Sequence, residues 1–376
     1  MQASSVRGVI VFIIVFLLAI PAILAFKKQH IVEPIGKGPG VHRVVMLSDY
    51  FDRLKDSVAD TEIYILEGEK PGATIFVWGM THPVEPAGML ASVLLVENAV
   101  VSQGRLLVMP RANKAGMTNT QAGQGSIAGF NLKTKSGAQR YFRFGGRGMN
   151  PVFQWPDPDV YVNPASGQAL AGDESRNLNR VHPGRPNGYL TEQISYAMLS
   201  LIRKEKVDVA IDLHEAPPDR PLVNAVAVHE RALKLAALTN LNLELQGIKI
   251  RLELSPKNLR GLSHREIGDH TAALAMLFEV QSPYHGPLRG RGDTKNYLTA
   301  KDEFLELASR MGRTSVQHTK EGVPFDLRVA RHVTSVVEVA NAFTELNPAK
   351  PIKIEEVPAY EEISKNGVGY YLRETE

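Results

Sequence analysis

The fold is indicated by Ala73-Thr74-Ile75-Phe76-Val77-Trp78-Gly79-Met80-Thr81-His82-Pro83-Val84-Glu85-Pro86. The first six residues of this stretch are β-branched, aromatic or small, which predicts a buried strand. Residues 87–100 carry apolar side chains near helical spacing, and Pro86 suits the first turn of a helix. His82 and Glu85 therefore lie between a strand and a helix, at the carboxyl edge of a sheet, where open α/β sheets place their binding crevices.

Two further polar residues occupy equivalent positions. Residues 207–213 are typical of a central strand, and His214 comes where that strand should end. Glu279 follows the apolar run from Ala272 to Phe278, where an unpaired buried carboxylate would be costly. His82, Glu85 and His214 can together hold one Zn²⁺, because catalytic zinc takes three nitrogen or oxygen ligands and leaves a position for water. Glu279 is then the candidate general base.

Spacing alone does not identify the ligands. The His-x-x-Glu pattern occurs three times, at His30 to Glu33, at His82 to Glu85 and at His318 to Glu321. The first copy follows a membrane-length apolar run, and the last lies among polar residues after a predicted helix. Only the middle copy lies between a strand and a helix, so its context favours it as the metal site.

Four short blocks resemble the zinc carboxypeptidase-like superfamily, and within it the succinylglutamate desuccinylase/aspartoacylase branch. Their order along the chain agrees with that branch, and the resemblance spans about residues 60 to 285. It implies an α/β fold with a mixed central sheet and helices on both faces. The blocks are His82-Pro83-Val84-Glu85-Pro86-Ala87-Gly88, Asn177-Leu178-Asn179-Arg180, Asp212-Leu213-His214 and Glu279-Val280.

The resemblance implies a role for each matching residue. His82, Glu85 and His214 would bind one Zn²⁺ per chain, and Glu279 would take the proton from the attacking water. Asn179 and Arg180 would hold a substrate carboxylate, since a guanidinium offers a planar fork that matches it. Arg176 is a further candidate for substrate binding. The arginine that stabilises the oxyanion in this family does not align, and its candidates are Arg176, Arg140 and, less well placed, Arg111.

The chain departs from the family pattern at two places. Asn177 stands where the family usually has an aspartate that orients a metal-bound histidine, so the hydrogen bond is retained without the charge. We expect a less basic histidine, with weaker metal binding or slower turnover. Pro83-Val84 replaces the more usual Gly-Asn between the first two ligands, which makes the backbone there stiffer.

Three segments are expected along the chain. Residues 1–28 form a membrane anchor or signal segment, residues 29–345 a zinc hydrolase domain, and residues 346–376 a tail with β character. Gly8 to Phe26 is a run of 19 residues without a charge, nearly long enough to span the hydrocarbon core as a helix. A signal peptide is less well supported than an anchor. Its cleavage site would need small residues two positions apart, but Ile23 stands two positions before Ala25.

The membrane orientation is not decided by positive charges, because Arg7 precedes the apolar run and Lys27 and Lys28 follow it. The short amino-terminal tail resembles that of a signal-anchor, which would place the enzyme outside the cytoplasm, in the periplasm if the organism is bacterial.

Residues 116–173 form an insertion rich in Gly, Gln, Asn and Ser. Its aromatic residues exclude a disordered linker by composition. Two interpretations remain open, namely a lid over the site and a surface segment that packs its own aromatic residues. Gly145-Gly146-Arg147-Gly148 is too short and too poorly placed for a phosphate loop. The aromatic residues are Phe130, Tyr141, Phe142, Phe144, Phe153, Trp155 and Tyr161.

Further strands are expected at residues 225–228 and 248–252, and a helix at residues 329–343, which supports an alternating α/β domain. A charged cluster precedes the Glu279 strand, and it is interpreted as the solvated face of a helix. Its members are His264, Arg265, Glu266, Asp269 and His270.

Composition limits the function classes. The chain has 43 basic and 40 acidic residues, a balance that does not favour nucleic-acid binding, and it contains no cysteine, which excludes disulfides and cysteine-ligated zinc. The expected function is hydrolysis of an amide bond in a carboxylate-bearing substrate, either an N-acyl amino acid or, in a metallocarboxypeptidase, a short or cell-wall peptide. A catalytically inactive binding protein on the same fold is the alternative from another class.

Overall fold

The computed structural model describes residues 3–28, 31–118 and 129–375. His30 lies outside the described residues, as does the part of the insertion from 119 to 128. Within the described ranges the strands are β1 (Val41–Met46), β2 (Glu62–Glu67), β3 (Lys70–Gly79), β4 (Val100–Met109), β5 (Gly129–Lys133), β6 (Gln139–Arg143), β7 (Val160–Val162), β8 (Ala169–Ala171), β9 (Val209–Ala216), β10 (Ala225–Val228), β11 (Arg251–Leu254), β12 (Leu274–Gln281) and β13 (Lys353–Glu355).

Helices cover both faces of the main sheet, which confirms the expected mixed α/β fold. Buried residues of α2, α4 and α8 pack on one face, and those of α3 and α5 pack on the other. The helices are α1 (Ala3–Lys28), α2 (Pro86–Asn98), α3 (Leu190–Lys204), α4 (Leu233–Leu245), α5 (Ser263–His270), α6 (Thr294–Thr299), α7 (Glu303–Arg310), α8 (Phe325–Leu346) and α9 (Tyr360–Asn366).

The main sheet has the strand order β1-β2-β4-β3-β9-β12-β10-β11, with β13 pairing to β4. Its centre is parallel, because β3 pairs with β4 and β9, and β9 pairs with β12. The pairs β1/β2, β2/β4 and β10/β12 are antiparallel. Residues of β3 alternate between the two cores, with Ile75 and Val77 on one face and Phe76 and Trp78 on the other. This two-sided burial explains the continuous apolar character of the strand.

The register of the central strands brings the polar residues to one edge. Glu279 of β12 is paired with His214 of β9, and Gly79, the last residue of β3, is paired with Leu213. Gly79 packs backbone to backbone on Gly88 of α2, where an added Cβ would lie 2.4 Å from the Gly88 carbonyl carbon. The short connection between β3 and α2, which carries the first two candidate ligands, is therefore held against this edge.

The insertion forms two hairpins, β5–β6 and β7–β8. Phe130, Phe142 and Phe144 are buried in the core that contains α2, and Tyr161 in the core that contains α3. Trp155 is 73% exposed. Most of the described aromatic residues of the insertion are thus packing residues, which favours a packed surface segment over a lid.

The charged cluster of α5 is only partly solvated, so its interpretation as a solvated face was wrong for three of its five members. His264, Arg265 and Glu266 are buried, whereas Asp269 and His270 are exposed. Arg265 pairs with Glu230, a residue 35 positions away, and Glu266 pairs with Arg260. These ion pairs compensate the buried charges of Arg265 and Glu266.

The carboxyl-terminal tail differs from the expected β structure. It contains one three-residue strand, β13, followed by α9. The strand expected at residues 248–252 begins three residues later as β11, and the helix expected at residues 329–343 extends over Phe325–Leu346. Helix α1 contains a 20-residue apolar segment, Ser5–Leu24, that is not buried against the rest of the protein. Its length and composition suit either a membrane span or a signal sequence.

Candidate active site

Three buried side chains meet at the carboxyl edge of the sheet. Glu85 Oε1 lies 2.9 Å from His82 Nδ1, and Glu85 Oε2 lies 2.9 Å from His214 Nδ1. One ligand atom of each residue lies within 4.8 Å of the other two. Two imidazole nitrogens and a carboxylate oxygen in this arrangement are the donor set that a catalytic zinc ion takes.

The opposite nitrogens of both imidazole rings have acceptors. Asn177 Oδ1 lies 2.9 Å from His82 Nε2, and Asp212 Oδ2 lies 2.9 Å from His214 Nε2. Asp212 is itself held by the hydroxyl groups of Thr81 and Ser263, at 2.8 and 2.5 Å. With a proton on each Nε2, beside Asn177 or Asp212, each Nδ1 keeps a free lone pair on the side of the ring that faces Glu85. The residues therefore fit a metal ion.

The charges of the three side chains are mutually dependent. Burial by itself raises the pKa of Glu85, but the facing His82 and His214 hold it well below its ordinary range. Burial by itself lowers the pKa of His214, but Asp212 and Glu85 carry it well above 6.5. Burial, reinforced by Arg147, lowers the pKa of His82 to about 4.

A cavity of about 690 Å³ opens beside the three side chains. Glu279 lines it, and its Oε2 is buried without a hydrogen-bond partner among the described residues. Burial raises the pKa of Glu279 to about 8, and the charge of Glu85 acts in the same direction. A carboxylate that gains and loses a proton near neutral pH is suited to general acid–base chemistry.

The predicted substrate-binding residues do not all reach the cavity. Asn179 and Arg180 line it. Arg176 does not, because its guanidinium is paired with Asp157 at 2.8 and 2.9 Å and donates to the Met149 carbonyl. Its predicted roles in substrate and oxyanion binding are therefore not supported by its position.

The other two candidates for the oxyanion arginine are also engaged elsewhere. Arg140 is paired with Glu97, and Arg111 donates to the Glu33 carbonyl. Neither lines the cavity. Among the arginines that line the cavity, Arg147 has its Nη1 3.5 Å from Glu85 Oε1, beside the ligand cluster. The glycine-rich segment around it has no helical or strand period, so no pattern singled it out.

Three more cavity residues escaped the sequence analysis. His285 is buried, with Nε2 at 3.0 Å from the Glu215 carbonyl and 3.7 Å from Glu85 Oε1. Arg220 and Arg289 lie on the loops after β9 and β12, which touch where Gly286 packs on the Pro217 ring. These loops follow the two strands that carry His214 and Glu279. That position in the sequence could have indicated that residues of these loops lie near the site.

No family model matches this chain, and no curated protein matches it by sequence. Solved structures do match. A metallo-carboxypeptidase from Burkholderia cenocepacia is 12% identical over 82% of this chain and 66% of its own length, with a TM-score of 0.44. The cell shape determinant protein Csd4 from Helicobacter pylori is 13% identical over 81% of this chain and 58% of its own, with a TM-score of 0.45.

A succinylglutamate desuccinylase from Silicibacter is 18% identical over 58% of this chain and 53% of its own, with a TM-score of 0.34. Each match thus covers no more than 66% of the other protein. These proteins are of the classes that the four sequence blocks resemble. Similarities this distant assign neither the substrate nor the reaction of this chain.

Proposed function

We propose that this chain is a zinc-dependent hydrolase that cleaves an amide bond in a substrate with a free carboxylate. The observation that carries the proposal is the convergence of His82, Glu85 and His214 beside a cavity that Glu279 also lines. Three buried ligands with oriented rings and an adjacent carboxylate of raised pKa are the components that metal-assisted hydrolysis needs. One Zn²⁺ per chain is part of the proposal.

The residues divide the chemistry among them. A bound Zn²⁺ polarises the scissile carbonyl and acidifies water. Glu279 accepts a proton from the attacking water and passes it to the leaving amine nitrogen, so that the amide bond is replaced by a carboxylate and a free amine. Arg147 faces the ligand cluster and donates to the oxygen that becomes negative during the attack. His82 and His214 are kept in the ligating tautomer by Asn177 and Asp212.

The cavity is suited to a carboxylate. Arg180 donates to the carbonyl of its neighbour Asn179 and forms no ion pair among the described residues. Burial and the nearby charge of Arg147 lower the pKa of Arg180. Arg147, Arg220 and Arg289 add three more guanidinium groups to the lining. An anionic group of the substrate supplies the missing partner, with Asn179 and Arg180 as its closest donors.

Two substrate classes fit these residues. The sequence resemblance favours an N-acyl amino acid, whereas a cavity of about 690 Å³ with arginines near its rim also accommodates a short peptide with a free carboxyl terminus. Turnover of acylated single amino acids, compared with di- to tetrapeptides, separates the two. Amidation of the substrate carboxylate should abolish turnover in either case. Zinc binding without turnover of either class would support the inactive binding protein.

Metal content tests the proposal directly. We expect about one zinc per chain in the full-length protein purified in detergent, and loss of that zinc in His82→Ala and in His214→Ala. His42→Ala is the matched control, because His42 lies on the edge strand β1 and should leave the zinc content unchanged. Wild type that binds no zinc after reconstitution would overturn the proposal. Glu279→Gln should keep the zinc and lose turnover.

We further propose that α1 is a membrane anchor and that the catalytic domain lies outside the cytoplasm. Its 20-residue apolar segment spans about 30 Å as a helix, which matches the hydrocarbon core. Protease protection in intact cells or spheroplasts, with an epitope tag at the carboxyl terminus, tests the orientation.

A further inference from the structure

The chain that follows α1 enters the protein interior within a few residues. Ile31 and Val32 are about half exposed, but Glu33 is 2% exposed. Residues 33–38 then run between the insertion and α2 before β1 begins. This part of the chain, residues 31–38, is called the stem.

Glu33 is bound by four donor groups, three from Arg143 and one from Arg111. Its Oε1 accepts from the backbone nitrogen of Arg143 at 2.5 Å and from Arg143 Nε at 3.0 Å, and its Oε2 lies 3.3 Å from Arg143 Nη2. The backbone carbonyl of Glu33 accepts from Arg111 at 2.5 Å. Both side chains of the Glu33–Arg143 pair are almost fully buried, at 2% and 4% exposure. Removal of either charge from such a pair leaves the other uncompensated, which is strongly destabilising.

Arg143 is the last residue of β6, and Arg147 lies four residues further along the chain. The intervening loop is bonded to the connection that carries the first two ligands. Gly145 donates to the Pro83 carbonyl at 3.1 Å, and Val84 donates to the Gly146 carbonyl at 3.2 Å. An added Cβ at Gly145 would lie 2.5 Å from Pro83 Cβ, so the two segments are in close contact.

The stem is also joined to α2. Glu97, which is fully buried near the end of that helix, accepts from the Gly36 backbone nitrogen at 2.8 Å. It also pairs with Arg140, which donates to the Pro34 carbonyl at 2.7 Å. Helix α2 begins at Pro86, directly after Glu85. The stem therefore contacts the end of the strand that precedes the Arg147 loop, and the end of the helix that follows Glu85.

We propose that Glu33 is a positioning residue, which fixes the end of β6 through Arg143 and so holds the loop that carries Arg147 against the His82–Glu85 connection. The stem is thus part of the support of the active site. This inference rests on the proposed function only for the role of Arg147 in turnover. The hydrogen-exchange rates of the loop amides test the structural part of the inference without any measurement of activity.

Hydrogen exchange of the full-length, zinc-loaded protein in detergent is the first test. In Glu33→Gln we expect the amides of residues 144–148 and of Val84 to exchange about tenfold faster or more, because their hydrogen bonds depend on the fixed end of β6. Peptides from α3 should not change. Glu192→Gln is the matched control, since Glu192 is a fully buried carboxylate of α3 that pairs with Arg185. It should leave residues 144–148 at the wild-type rate.

Unchanged exchange at residues 144–148, or an equal increase over the whole protein, would overturn the inference. If Glu33→Gln does not accumulate, Glu33→Gln/Arg143→Gln replaces it, with the same expected local increase. With a substrate in hand, a double-mutant cycle gives a second readout. Arg147→Met should lower kcat by about 10²–10³, and Glu33→Gln should lower kcat about tenfold in wild type but not in the Arg147→Met background. Additive losses would show that Glu33 does not act through Arg147.

Discussion

At the scale of single residues, we expect Asn177 to influence how strongly the proposed site binds zinc. Its Oδ1 accepts from His82, while its Nδ2 donates to Glu174 Oε2 at 2.6 Å. An aspartate at this position would face the Glu174 carboxylate at hydrogen-bond distance. The Glu174 carboxylate therefore explains why an amide rather than a carboxylate occupies position 177. A negative charge can be placed at this position only if Glu174 changes as well.

We expect Asn177→Asp/Glu174→Gln to bind zinc about tenfold more tightly than wild type, because a charged acceptor makes His82 a stronger ligand. Asn177→Asp alone should gain little, since the two carboxylates must share a proton. Competition with a chelator measures both affinities. Equal gains in the single and double variants would contradict the role given to Glu174.

Glu279 makes the stability of the metal-free protein depend on pH. Burial raises its folded-state pKa from 4.5 to about 8, so between these values the folded state holds a proton that the unfolded state has released. The contribution of this residue to the free energy of unfolding therefore falls as pH rises through that window. We expect metal-free Glu279→Gln to be more stable than metal-free wild type at pH 9, by about 1–3 kcal/mol, and to differ less at pH 5. Chemical denaturation at the two pH values measures this, and a difference independent of pH would contradict it.

At the scale of elements, one buried ion pair joins the helices to the sheet behind the site. Arg328 of α8 donates to Glu215 of β9 at 2.5 Å, and both side chains are fully buried. Glu215 also accepts from Tyr297 of α6 at 2.9 Å and from the Ala87 backbone nitrogen of α2 at 2.8 Å. The residue after His214 thus holds the first turn of the helix that follows Glu85.

Arg328→Met should lower the free energy of unfolding by about 3–5 kcal/mol, because it leaves the Glu215 carboxylate buried without a cation. Arg328→Met/Glu215→Gln should cost clearly less, since no charge is then left unpaired. Thermal denaturation of the metal-free variants gives the comparison. A double variant as unstable as the single one would show that packing, rather than charge, accounts for the loss.

The elements that the sequence predicted well are those whose burial is continuous. Strands β3, β9 and β12 are buried on both faces, and the polar residues near their carboxyl ends were predicted as site residues for that reason. His214 and Glu279 were expected to follow their strands, but each lies two residues before the strand ends. The α5 cluster was misinterpreted because its partners His229 and Glu230 lie far away along the chain, and local spacing carries no information on such pairs. Arg147 was missed for a related reason. Its position depends on the contact between an irregular loop and the Pro83–Val84 backbone.

At the scale of the whole molecule, the folded domain includes residues that precede its first strand, β1. A protein that starts at residue 31 retains Glu33, whereas one that starts at residue 39 leaves Arg143 buried without it. We expect the longer protein to fold stably and the shorter one to lose about 3–5 kcal/mol of unfolding free energy. Denaturation of the two proteins side by side tests this. Equal stabilities would show that the stem is dispensable for the fold.

The short connection between α1 and the buried Glu33 also limits how far the domain could move from a membrane that holds α1. Only four residues separate Lys28, the last residue of α1, from Glu33, and fully extended they span at most about 17 Å. With α1 in a bilayer, the domain cannot travel far from the lipid surface, and its rotation is restricted by the same short connection. A substrate attached to that surface, or concentrated there, meets the cavity at a higher effective concentration than one free in solution. In the proposed membrane-anchored hydrolase, the length of this connection would therefore contribute to substrate choice, beside the arginines that line the cavity.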